Sequence, residues 1–156
     1  EQDIVKHQLV ISQRNQKNGV DLYPDECTIL HGEDKYAEFD LEVEPLNNNK
    51  LLASGLCWRG AYNSGAGYWL INAKKPYQPQ LITTSASDYS EGIINANHKG
   101  RGLGDCYSND EWTWNGSEFI QTYASTTGMC KMVELGGTWD LPTKVTRVVK
   151  PIDAKK

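Results

Sequence analysis

Between Tyr36 and Glu44 the chain alternates without a break: Phe39, Leu41 and Val43 share one parity, and Glu38, Asp40, Glu42 and Glu44 the other. In an extended strand successive side chains point to opposite faces, so this segment buries one face and turns four carboxylates outward. Asn47, Asn48, Asn49 and Lys50 then make a turn, and residues 51–57 return as a second strand, which makes the pair a hairpin.

The same pattern continues along the chain. Residues 60–67 are a glycine-rich connection, and Tyr68-Trp69-Leu70-Ile71 has the composition of a buried strand. Pro76 and Pro79 flank an exposed turn, residues 81–84 and 93–96 are two further strands, and residues 88–92 lie between them. In Glu111-Trp112-Thr113-Trp114-Asn115-Gly116-Ser117-Glu118-Phe119-Ile120, Asn-Gly between aromatic strands favours a two-residue type I′ hairpin. Asn115-Gly116-Ser117 also fits a glycosylation sequon, but the tight turn accounts for it. Residues 145–149 form a final strand and 151–156 a disordered tail.

Helix signals are few. Residues 3–15 fit either a short helix capped by Asp3 or a strand through Val10 and Ile11, and Tyr23-Pro24-Asp25 is a turn before Cys27. The fold class expected is mainly β, an antiparallel sandwich or partly closed barrel with little helix. With 156 residues the chain is read as one domain over residues 1–150, in which five Trp and eight Tyr supply large aromatic anchors.

Four cysteines stand at 27, 57, 106 and 130, none within four residues of another, which excludes a CxxC-type zinc or redox motif. An even number at wide spacing suits two disulfides in an oxidising compartment, against the alternative of four buried thiols in the cytosol. Three pairings exist; Cys27–Cys57 and Cys106–Cys130 are favoured because each staples neighbouring segments.

The net charge of −4 argues against nucleic acid and is compatible with a basic protein partner. No run approaches the roughly 18 apolar residues of a membrane helix. The chain opens Glu1-Gln2 without an initiator Met, so the lack of a leader is no evidence for the cytoplasm.

Asn97-His98-Lys99-Gly100-Arg101-Gly102-Leu103-Gly104-Asp105-Cys106 is the densest segment of the chain. A dinucleotide loop needs GxGxxG before a helix, but Asp105 fills the sixth position and a strand follows. There is no P-loop, no GxSxG elbow and no HExxH, and His7, His31 and His98 are far apart. No catalytic constellation, metal or cofactor is therefore expected.

Three candidate surfaces remain. The strand with Glu38, Asp40, Glu42 and Glu44 is a docking face for a basic protein, a calcium site or a solvated edge. Trp58, Arg59, Tyr62 and Asn63 have the composition of an interface hot spot, against the plainer reading that the aromatics are core. His98, Lys99, Arg101 and Asp105 form a glycine-shaped strand exit tied down by Cys106, a ligand site or a braced corner.

CWRGAYNSGAGYWLI (57–71), HKGRGLGDC (98–106), EWTWNG (111–116), STTGMCK (125–131) and GTWDLPTKVTRV (137–148) together resemble the C-terminal half of a bacterial family, domain of unknown function 1176. The resemblance implies export in Gram-negative bacteria, to the periplasm or beyond, and longer relatives with a further N-terminal half. It carries over no activity and no catalytic residue. The leading expectation is a disulfide-bonded exported β domain that binds another envelope or basic protein, as an inhibitor or immunity factor would. The alternatives are an envelope-glycan binder or hydrolase using His98, Arg101 and Asp105, and a structural domain of a larger exported protein. Oligomeric state is left open.

Overall fold

The computed structural model describes residues 27–29 and 41–149. The helix-or-strand segment at 3–15, the turn at 23–25, Glu38, Asp40 and the tail at 151–156 lie outside the described residues.

Among the described residues nine strands are present, in chain order β1 (Leu41–Pro45), β2 (Lys50–Arg59), β3 (Ser64–Asn72), β4 (Gln80–Ala86), β5 (Asp88–Ser90), β6 (Ile93–Lys99), β7 (Tyr107–Trp114), β8 (Phe119–Thr126) and β9 (Leu141–Val145). They form two open sheets, β1-β2-β3-β4 and β5-β6-β7-β8-β9, in which every pair is antiparallel and adjacent in sequence. No helix occurs among the described residues, and so none long and apolar enough to cross a membrane. The all-β expectation holds, with open sheets and no barrel closure. The chain divides into two compact units, Glu1–Gly60 with Ser64–Ala86, and Ala61–Asn63 with Ser87–Lys156.

In the first unit the alternation read from the sequence is the alternation of burial. Leu41 and Val43 are buried in β1, while Glu42 and Glu44 are exposed. Asn47 makes the turn by accepting the amides of Asn49 and Lys50 on its side-chain oxygen, each at 2.8 Å. The core joins Cys27, Leu41, Val43, Ala53, Cys57, Trp69 and Ile71. Register explains the grouping, since Val43 faces Ala53, Ala53 faces Trp69 and Leu51 faces Ile71.

The glycine-rich connection at 60–67 proves shorter than expected, because β3 begins at Ser64. Gly65 and Gly67 are strand residues whose missing side chains make room. A Cβ at Gly67 would overlap the Trp69 ring and stand 2.7 Å from Cys57 Sγ, and one at Gly65 would overlap the Trp58 indole. Glycine here serves close packing rather than turning.

In the second unit Ile94 and Ala96 are buried on β6, and Cys106 at the end of the following loop. Trp114, Phe119 and Tyr89 cluster at one end of the sheet, the Trp114 and Phe119 ring centroids 5.2 Å apart and those of Tyr89 and Phe119 6.2 Å apart. The β7–β8 hairpin is present, but its turn differs from the type I′ expectation. Only Gly116 of the Asn-Gly pair has positive φ, at 104°, and the turn is centred on Gly116 and Ser117. Asn115 donates its amide to Glu118 O, and its side-chain oxygen accepts from the amides of Ser117 and Glu118 and from Ser117 Oγ. The asparagine caps the turn with its side chain, which the dipeptide signal does not encode.

The last strand, β9, begins at Leu141 and ends at Val145, so residues 146–149, expected as strand, follow it. Pro142 is accommodated within β9 because this strand pairs on one side only, at the sheet edge.

Candidate functional site

Both disulfides form with the favoured pairing. Cys27–Cys57 lies in the first unit and Cys106–Cys130 in the second, and no free cysteine remains.

Residues 100–106 are the loop that turns β6 into β7. Gly100 N donates to Cys106 O at 2.9 Å and closes it, and Gly104 N donates to Arg101 O at 3.0 Å inside it. A Cβ at Gly100 would come within 2.6 Å of Cys106 Sγ and 3.2 Å of Cys130 Sγ, so the glycine allows the disulfide to lie against the loop. Arg101 and Asp105 meet in a two-point ion pair, Nε to Oδ1 at 2.8 Å and the second nitrogen to Oδ2. Oδ2 also accepts the amide of Met132 at 2.7 Å. The Arg101 guanidinium, opposed by desolvation and helped by the Met132 amide, holds the Asp105 carboxyl well below the usual carboxylate range. The same hydrogen bond raises the Arg101 pKa, so the pair stays ionised.

Asp105 is only 6% exposed and spends both oxygens within the chain. A carboxylate so occupied is a brace. It ties the β6–β7 loop to the segment after Cys130, two residues from the disulfide that makes the same link. Asp105, Cys106 and Cys130 do bring donor atoms within 4.8 Å of one another. In the oxidised chain the two sulfurs are bonded to each other and the carboxylate is taken by Arg101 and Met132, so the group does not suit a metal.

The other candidates divide between the units. Trp58 and Arg59 end β2 in the first; Trp58 is half-buried with Nε1 donating to Thr84 O at 3.0 Å, and Arg59 is exposed. Tyr62, Asn63, His98, Lys99, Arg101 and Asp105 belong to the second. The Asn63 side chain fastens to the Lys99 backbone through two hydrogen bonds, donating from Nδ2 to Lys99 O at 2.9 Å and accepting on Oδ1 from Lys99 N at 3.0 Å. Tyr62, exposed, donates from its hydroxyl to Gly100 O at 3.4 Å. His98 is half-buried in β6 opposite Ser108 and points to the other sheet face from Lys99, which pairs with Tyr107. Asn63 thus fastens a loop to β6, Trp58 joins β2 to β4, and Tyr62 and the Arg101–Asp105 pair make contacts within loops. In the acidic strand, Glu44 has its pKa raised by partial burial and then by Glu42.

The residues that sequence reasoning passed over lie around and after Cys130. Met129 is 73% exposed, Met132 71%, Leu135 84% and Trp139 64%, with Val133, Leu141 and Val145 also exposed. Two chain contacts hold this stretch against the strand exit: Met132 N donates to Asp105, and Gly136 N donates to Gly104 O at 2.8 Å. Leu103, on the same loop, is 58% exposed. Trp139 and Leu141 lie together, each with a side-chain carbon within 3.7 Å of a Cβ built on Gly128. The available signal was apolar residues at 129–139 without period-two alternation, broken by Gly136-Gly137.

No curated protein and no solved structure matches the chain. The family model described as protein of unknown function (DUF1176) matches residues 5–146, and the chain belongs to that family.

Proposed function

We propose that this is an exported, disulfide-bonded β domain that works by binding another protein rather than by catalysis. The observation that carries the reading is the run of large apolar side chains around the second disulfide, Met129, Met132, Val133, Leu135 and Trp139, each at least 64% exposed. Soluble monomers rarely expose a contiguous apolar patch beyond a few hundred Å², and Trp and Met are enriched where proteins dock. The two disulfides support export, since such bonds persist in oxidising compartments. The internal use of both Asp105 oxygens speaks against an acid-base role for the His98, Arg101 and Asp105 group. The docking surface proposed is therefore the segment after Cys130. The acidic strand, of which Glu42 and Glu44 are described and exposed, is a second surface suited to a basic partner.

The test is site-specific photo-crosslinking in cells that export the chain. A photoreactive residue at Leu135 or Trp139 is expected to give a discrete heavier adduct, and one at Ser117, in the exposed hairpin tip, none. Leu135→Asp with Trp139→Asp should abolish the adduct formed from position 133. Equal labelling at all positions, or none at 135 and 139, would sink the reading.

A further inference from the structure

All the sulfur in this chain is of two kinds. The four cysteines are locked in disulfides, and the chain has two methionines, Met129 and Met132, which flank Cys130. Both are more than 70% exposed. Their backbone is held rather than loose: Cys130 between them is tied to Cys106, and Met132 N donates to the nearly buried Asp105 at 2.7 Å. The anchors lie on the inner side of the segment, and the two thioethers are presented outward.

We propose that Met129 and Met132 are a paired oxidation site, where hydrogen peroxide, a two-electron oxidant, converts the apolar surface into a polar one. A thioether sulfur attacks the terminal oxygen of a peroxide. The S–O bond forms as the O–O bond breaks, the sulfur is oxidised by two electrons to the sulfoxide, and the peroxide is reduced and leaves as water. Free thiols would compete for the oxidant, but none exists here. A sulfoxide is a strong hydrogen-bond acceptor, so two of them in the middle of Met129, Met132, Val133, Leu135 and Trp139 oppose its burial against a partner. Because neither methionine belongs to the buried core, the modification changes the surface while leaving the fold intact.

The consequence for docking rests on the reading above; the oxidation site itself does not. The whole oxidised chain is treated with hydrogen peroxide and followed by intact mass, peptide mapping and retention on a phenyl column. The expected result is a gain of about 32 Da, placed entirely on Met129 and Met132, with earlier elution and an unchanged melting midpoint. Methionine sulfoxide reductase should restore mass and retention, and Met129→Leu with Met132→Leu should take up no oxygen and keep its retention. Oxygen entering Trp139 or other residues first, sulfoxides that leave retention unmoved, or a lowered midpoint would each overturn the proposal. Crosslinking from Leu135 separates the two readings. An adduct lost on oxidation and regained on reduction supports both. If untreated chain gives no adduct while mass and retention shift as expected, the docking reading falls and the oxidation site stands.

Discussion

Asp105 accepts from Arg101 through both of its oxygens and from Met132 through one, and its place in the sequence, four residues after Arg101, lets a short loop close the pair. A carboxyl held below its ordinary value binds its proton less readily folded than unfolded. It therefore adds stability that is fully present above the unfolded value of about 4 and disappears as pH falls from there toward the depressed folded value. Asp105→Asn is expected to lower the urea midpoint at neutral pH. It should also flatten the loss of stability that the parent shows from about pH 4 downward. Denaturation measured across that range checks both; an unchanged acid limb would mean that the ion pair does not couple to folding. At this scale the sequence was informative about residue types but not about roles. Lys99, Arg101 and Asp105 stand out by composition, yet nothing in their spacing says that Asp105 is used up internally, because Met132 reaches it from 27 positions away.

Among the elements, strand parity was the most legible feature. Leu41 and Val43 are buried and Glu42 and Glu44 exposed, as a period of two requires, because the pleat alone decides it. Glycines were misread for the opposite reason. The absence of a side chain at 65 and 67 looks like a turn locally, and only the neighbouring strands show that Trp58 and Trp69 occupy the space. Gly67→Ala should cost at least about 2 kcal/mol, since the added methyl must displace the Trp69 ring or the Cys57 sulfur within a packed core. Chemical denaturation of the variant with its disulfides intact checks this, and a loss under about 0.5 kcal/mol would show that the core yields there. The β7–β8 turn was recognised as a hairpin from Asn-Gly, but its details were decided by the Asn115 side chain and its three donors.

For the whole molecule, the disulfides carry a large share of the constraint. They close sequence separations of 30 and 24 residues, one in each unit, and by loop entropy each contributes about 3.5 kcal/mol. Replacing Cys106 and Cys130 together by Ala should lower stability by about that much and loosen the segment that carries Met129, Met132 and Trp139. The Cys27 and Cys57 pair should show a similar loss with no change at that segment. Denaturant unfolding and proteolysis around residues 131–139 distinguish the two; equal protease resistance in both double variants would deny the disulfide its positioning role.

The sequence by itself determined the mainly β character and the hairpins, and it favoured the two disulfide pairings among three. Each of these depends on parity, turn chemistry or the spacing of four identical side chains, all of which are written along the chain. Tertiary structure alone decided which side chains are spent on the fold and which stay outside. Trp58, Asn63 and Asp105 looked available and are engaged in hydrogen bonds, whereas Met129, Leu135 and Trp139, which no sequence pattern singled out, are exposed. Exposure is a property of what packs against a residue, and residues distant in sequence supply that packing.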